Sequence, residues 1–211
     1  MKSKRTQASR AQAPRTQAER TATTRAALVS AARGLFEERG FAAVGTDEIA
    51  RAAGVTRGAL YHQFDGKLEL FAAVFEQVEA EIAERIGAAV SIVEVEDMAR
   101  ALHVGVDAWL AASAEPSVQR IVLIEAPAAL GWQRWREIGR KYGVGLVESA
   151  VEGAIVAGVM AEQPVGPIAH LLIGALEEAV LYAARAEDPE HATEEVRDAL
   201  HRLIGALLIT A

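Results

Sequence analysis

The sequence predicts an all-α protein, with a small N-terminal three-helix unit followed by a larger C-terminal helical unit. Three observations carry this. Apolar residues recur at three- and four-residue steps along most of the chain, with no strand alternation and no internal repeat. Threonine and glycine punctuate a pair of short helices between Thr46 and Phe64. Pro116, Pro127, Pro164, Pro167 and Pro189 fall between or near the longer periodic segments, where a residue without an N–H marks a boundary.

Residues 1–19 are polar, with Pro14 among them and no apolar period, and read as a disordered basic arm. Their charge suits a nucleic-acid backbone; an unstructured leader without a role fits equally well. A first helix is expected over Ala22 to Arg39, with Leu28, Ala31, Ala32, Leu35 and Phe36 on one stripe and Gly40 at its end. Thr46 then opens a short helix as N-cap, with Asp47 and Glu48 suited to the positive end of the helix dipole. Gly54 closes it in a left-handed conformation. Thr56 caps the next helix, across which Val55 and Leu60 form a hydrophobic staple. Leu60 and Phe64, one turn apart, face inward, leaving Arg57, Gly58, Tyr61, His62 and Gln63 on an outer face without an acid. A basic, aromatic outer face on a short capped helix is how a helix-turn-helix addresses the major groove. The first unit, 20–67, ends there.

The second unit, 68–211, is expected to be helical throughout. Asp65 should cap a long helix with a stripe of Leu68, Phe71, Phe75, Val78, Ile82 and Ile86, a lever between the two units. Further helices are expected at Val95–Ser113, Ser117–Ala126, Trp132–Glu162, Ile168–Ala186 and Thr193–Ile209, with Gly143, Gly145, Gly153 and Gly158 marking a kink or a close approach in the third. The last two segments carry apolar faces wider than one core-facing stripe. Two such helices from each of two subunits would form an intermolecular four-helix bundle.

The charge distribution agrees with this division. The chain carries −7 overall, but residues 1–67 sum to +6 and residues 68–211 to −13. A basic head on an acidic body is the footprint of a protein that meets nucleic acid at one end. The absence of cysteine excludes disulfides and thiolate-ligated zinc and fits a reducing cytoplasm. No apolar run reaches the length of a membrane span, Val144 to Met160 being broken by Glu148, Ser149 and Glu152, and no secretory leader is recognised. There is no Gly-x-Ser-x-Gly elbow, phosphate loop, His-Glu-x-x-His or dinucleotide fingerprint, and His103, His170, His191 and His201 are scattered. No enzyme, cofactor or metal site is therefore expected.

Three strings in register, Ala32-x-x-Leu35-Phe36-x-x-x-Gly40-Phe41, Thr46-x-x-Ile49-Ala50-x-x-Ala53-Gly54-Val55 and Gly58-x-Leu60-Tyr61-x-x-Phe64-x-x-Lys67-x-x-Leu70-Phe71, resemble the DNA-binding domain of the tetracycline-repressor (TetR) family of bacterial regulators. The resemblance spans Thr23 to Phe75; a looser likeness covers Ile121 to Trp132. It implies a homodimer, joined here through the two C-terminal helices, that binds a palindromic double-stranded DNA operator and is released by a small-molecule effector. It also implies DNA contacts at Thr46, Thr56, Arg57, Gly58, Tyr61, His62 and Lys67. Chemically, Arg57 suits a bidentate contact to guanine, Gly58 a close backbone approach, and Tyr61, His62 and Lys67 phosphate contacts. The plainer alternative is that Tyr61 packs between helices and His62 is an idle surface residue.

For an effector cavity in the body the leading candidates are His103, Val106, Trp109, Leu123, Trp132 and Tyr142, with Met98, Leu102, Leu110, Trp135, Leu146 and Tyr182 behind them. Residues of these types at helical spacing also serve as plain core. Trp132 and Trp135 with Arg134 and Arg136 make either an anion-gripping lip or an amphipathic surface turn. Few charges fall on the inner faces, so a largely apolar effector is expected. The resulting expectation is a cytoplasmic, ligand-responsive transcriptional repressor. The alternative is a helical ligand-binding or enzymatic domain whose helix-turn-helix serves packing only.

Overall fold

The computed structural model describes residues 16–94 and 97–209. Among them are eleven α-helices and two π-helical segments: α1 (Gln17–Arg39), α2 (Thr46–Ala52), α3 (Arg57–Gln63), α4 (Lys67–Val90), α5 (Met98–Ser113), α6 (Pro116–Val118), a π segment (Gln119–Glu125), α7 (Ala126–Leu130), α8 (Trp132–Gly139), a second π segment (Arg140–Val144), α9 (Gly145–Val156), α10 (Val165–Arg185) and α11 (Pro189–Leu207). The only pairing of extended backbone among the described residues is one antiparallel bridge between Met160 and Leu208.

α1 begins five residues before the expected start. Thr16 accepts from the Glu19 backbone N–H at 3.2 Å while the Glu19 carboxylate accepts from the Thr16 N–H at 2.7 Å, a reciprocal capping box. Those first turns bury nothing, so no apolar stripe marks them. Thr16 to Glu19 thus leave the expected arm, whose other residues, 1–15, lie outside the described ones. The head is sealed by Leu28, Phe36, Ile49, Leu60, Leu70 and Phe71, all fully buried. Phe71 meets Phe36 edge to face at 5.1 Å and Phe41 at 5.0 Å between ring centroids.

Gly54 adopts the expected positive φ of 67°, and Thr56 caps α3 by accepting from the Ala59 N–H at 3.1 Å. Two expected caps differ. Gly45 precedes α2 as N-cap, making Thr46 its first helical residue, and Gly66, at φ 90°, stands before α4 where Asp65 was expected. The tight turn into α4 needs a left-handed residue, which glycine supplies without strain. The buried residues of α4 are Leu70, Phe71, Ala72, Val74, Phe75, Val78, Glu79 and Ile82, while Leu68 is exposed.

In the body, residues 116–130 form one nearly continuous helix in which Pro127 follows the π segment, at the point where backbone hydrogen bonding changes register. Gly143 falls in the second π segment and Gly145 follows it, while Gly153 is a site of close approach, a Cβ there lying 3.2 Å from Met98 Cε. The helix expected to reach Glu162 stops at Val156, and Gly158 turns the chain at φ 71°. α10 starts earlier than expected and includes Pro167 within its first turn; Asp188 caps α11, accepting from the His191 N–H at 3.1 Å. α10 is the one helix among the described residues long and apolar enough to cross a membrane, a feature not anticipated from the sequence. It carries Glu177 and Glu178 and packs one side on α5, α9 and α11.

Head and body meet at several points. α4 runs from one into the other, and Arg33 of α1 pairs with Glu81 of α4 at 2.5 Å. Arg120, in the first π segment, donates to the terminal carbonyls of α1, Glu37 O at 2.9 Å and Glu38 O at 3.0 Å. Arg134 of α8 grips Glu69 of α4 with two bonds of 2.6 Å.

Candidate nucleic-acid interface and internal cavity

α3 is short, and packing decides which side it shows. Leu60 is fully buried and Phe64 nearly so, fixing the helix by one face. Thr56, Arg57, Gly58, Tyr61 and His62 consequently project into solvent together. Tyr61 is 47% exposed, so it is not the interhelical packing residue of the plainer alternative. Its hydroxyl lies 3.3 Å from the Thr46 hydroxyl, which joins the α2 start to the outer face. Arg57 lies over the Tyr61 ring at 5.5 Å and pairs with Asp47 at 3.2 Å. The Thr46 hydroxyl and the Arg57 guanidinium together hold the Tyr61 phenol below its usual range. Both partners of the Arg57–Asp47 pair are well exposed, so the pair is weak and readily exchanged for another acceptor. At Gly58 a side chain would find open space, its nearest neighbour being the Thr56 hydroxyl at 3.9 Å. Nothing inside the protein requires a glycine there.

Lys67 has a structural part that the sequence did not suggest. Its ammonium donates to Phe41 O at 2.8 Å and Val44 O at 3.0 Å and lies 4.2 Å from the Phe41 ring centroid. Two of its three protons thus tie the start of α4 to the loop between α1 and α2, leaving one for any phosphate.

A cavity of about 380 Å³, partly open to solvent, lies in the body between α4, α5, α9, α10 and α11. Val106 and Trp109 are in its wall, together with Met98, Leu102 and Leu146. The other four leading candidates are not. His103 stacks edge to face on His201 at 4.6 Å beside Asp107, against α11. Leu123 is buried in the first π segment. Trp132 is 65% exposed, its ring 5.0 Å from that of Trp135, and the Arg136 guanidinium caps both rings at 4.6 and 4.5 Å. Tyr142 turns to Glu76, to which it donates at 3.1 Å. Leu110, Trp135 and Tyr182 are also outside the wall. The Trp132–Trp135 turn is amphipathic: Arg136 is held by Glu177 at 3.3 Å, and Arg134 by Glu69.

Sequence reasoning missed Glu79. It is 6% exposed, in the cavity wall, and among the described residues meets no hydrogen-bond donor. Burial foremost, and then the Glu177 carboxylate, push it up to about 8. A signal was available, since position 79 falls in phase with Phe75, Ile82 and Ile86, an acid on an apolar stripe. Among the described residues no group of three metal-ligating side chains occurs.

Comparison with known proteins agrees with this geometry. Residues 28–74 match the family of bacterial regulatory proteins designated tetR, and residues 99–207 match the tetracyclin repressor-like C-terminal domain. The chain is 41% identical over 70 residues to the HTH-type transcriptional regulator CymR of Pseudomonas putida, covering 33% of this chain and 34% of that one. It is 30% identical over 132 residues to the transposon Tn10 TetC protein of Escherichia coli, covering 61% and 64%. The match thus spans about a third and just under two thirds of these relatives' lengths. A crystal structure of a TetR-family transcriptional regulator from Pectobacterium atrosepticum superposes with a TM-score of 0.77 at 36% identity, covering 93% of this chain and 99% of that one. The exposed α3 face, the helical body and these matches together establish that the chain belongs to the TetR family of transcriptional regulators.

Proposed function

We propose that this regulator is a repressor that binds a palindromic double-stranded operator in the cytoplasm as a homodimer and is released by a small, largely apolar effector. The observation that carries the reading is the path of α4. Its first turn holds the head through Lys67, and its later turns supply Glu79, Ile82 and Ile86 to the cavity wall. A molecule entering the cavity therefore presses on the helix that positions α3. Thr46, Thr56, Arg57, Gly58, Tyr61 and His62 form the DNA face, with Arg57 on a base edge and the remaining Lys67 proton on a phosphate. An α3 used only for packing would not leave this face in solvent.

The dimer forms through α10 and α11, whose outward sides expose Leu171 at 71%, Tyr182 at 57% and Leu203 at 44%. Two heads so joined must match half-sites about 34–36 Å apart, and a tilt of α4 alters that spacing. The test is a gel shift on the DNA flanking the protein's own gene, across a salt series, followed by sedimentation of the complex with a releasing ligand. Steep salt dependence and release without loss of the dimer are expected. Ligand and operator must weaken each other by the same factor. Salt-independent binding, or a ligand whose affinity ignores operator, would overturn the reading.

A further inference from the structure

We infer that Glu79 is the polar anchor of the cavity, and that the effector it selects is an apolar molecule bearing one positively charged amine. This rests on the cavity being the effector site. The surroundings of Glu79 argue for it. The residue is more than nine-tenths buried, its carboxyl borders the cavity, and among the described residues no donor reaches it. The wall residues from α5, α9 and α11 are uncharged, Ser149 being the polar one among them. On the far side, a much smaller pocket brings Glu79 together with Glu177 of α10, Arg136 of α8 and Arg140 of the second π segment. Arg136 is committed to Glu177 at 3.3 Å and to the rings of Trp132 and Trp135 at 4.6 and 4.5 Å, and Arg140 is exposed.

Among the described residues no cation therefore pairs with Glu79, and a second carboxylate stands behind it. A buried acid without a donor is unfavourable and persists where something else uses it. An anionic head group at this point would meet two carboxyls. A neutral alcohol would gain a hydrogen bond but nothing from the field of the second acid. A protonated amine gains both. Gly143 keeps the approach open, since a Cβ there would lie 3.9 Å from Glu79 Oε2 and 3.5 Å from Ile173 Cδ1. The volume, near the lower end for small-molecule pockets, suits one ring or a short chain.

Until an amine binds, Glu79 is the neutral acid at neutral pH, because burial pushes it up to about 8. When R–NH₃⁺ binds, the carboxyl proton passes to solvent and a carboxylate–ammonium pair remains, so charge and atoms balance. Affinity for an amine that stays charged should then rise about tenfold per pH unit below that value and level off above it.

The probes are three matched compounds, 4-phenylbutylamine, 4-phenylbutan-1-ol and 4-phenylbutanoate, titrated calorimetrically into the full chain between about pH 6 and 8. The amine is expected to bind at least about tenfold tighter than the other two at the upper pH, with the predicted slope. Glu79→Gln should abolish both preference and slope while still binding the alcohol, and Gly143→Leu, which fills the cavity beside the anchor, should weaken all three. Equal binding of amine and alcohol to the native protein, or a preference that survives Glu79→Gln, would overturn the anchor and leave the cavity as effector site intact. If none of the three binds the native protein, both inferences fall.

Discussion

Replacing Glu79 with glutamine should make the folded protein more stable, and increasingly so as pH rises. Glu79 is held up to about 8 in the fold, against 4.5 for an ordinary glutamate, by burial and by Glu177. The folded state thus binds this proton more tightly than the unfolded chain does. That linkage favours folding fully below 4.5 and is lost as pH climbs from 4.5 through about 8. Each pH unit in the interval removes about 1.4 kcal/mol, which amounts to ~3 kcal/mol at neutral pH and ~5 kcal/mol above the folded value. Glutamine keeps the shape and cannot ionise, so it escapes the loss, although it still leaves a buried amide without partners at a cost of about 1–3 kcal/mol. The informative quantity is therefore the slope of the stability difference. Urea unfolding of both proteins from about pH 5 to 8, at one fixed protein concentration because a dimer's stability depends on it, should show the variant gaining steadily on the native chain. Glu177 is present in both and its own titration largely cancels. A difference that does not change with pH would refute the reasoning, for it would mean that Glu79 ionises in the fold as freely as in water.

Three further outcomes are expected. Arg57→Ala should cost about 1–3 kcal/mol at one base pair of the operator and little on random DNA, read by competition gel shifts; a parallel loss on every sequence would remove Arg57 from the base edge. Lys67→Ala deletes the bonds to Phe41 O and Val44 O, so it should destabilise the head by about 1–3 kcal/mol as well as weaken operator and random DNA alike. An unchanged thermal midpoint would show those bonds to be idle. Leu171→Glu together with Leu203→Glu alters two exposed positions, so the subunit should keep its helical circular dichroism yet sediment as a monomer. A persisting dimer would place the interface elsewhere.

The head was more legible in the sequence than the cavity, for a physical reason. Gly54, Thr56, Leu60 and Phe64 act through bonds within one or two turns, so their types and spacing determine the local geometry. Thr46 and Asp65 were misplaced by one residue because Gly45 and Gly66 hold the cap positions without a side chain to advertise it. The cavity is bounded by helices distant in sequence, and whether an aromatic residue lines it or packs beside it depends on their crossing. Trp109 lines it and donates to Leu176 O at 3.3 Å, whereas Trp135 donates to Val122 O at 3.1 Å outside it. Composition alone does not separate the two. Glu79 was overlooked because acids were read as solvent markers, although its phase on α4 placed it inward.

The grip of Arg120 on the last carbonyls of α1 bears on how the head can move. α4 supplies one attachment of head to body and this guanidinium a second, while the Arg33–Glu81 and Arg134–Glu69 pairs tie α4 to α1 and to α8. The head is therefore not on a free hinge: these bonds must stretch or part as it turns. On the function proposed above, pressure on α4 from within the cavity has to loosen them before the two DNA faces change their separation. They act as a latch, and its strength sets how much of an effector's binding energy release consumes.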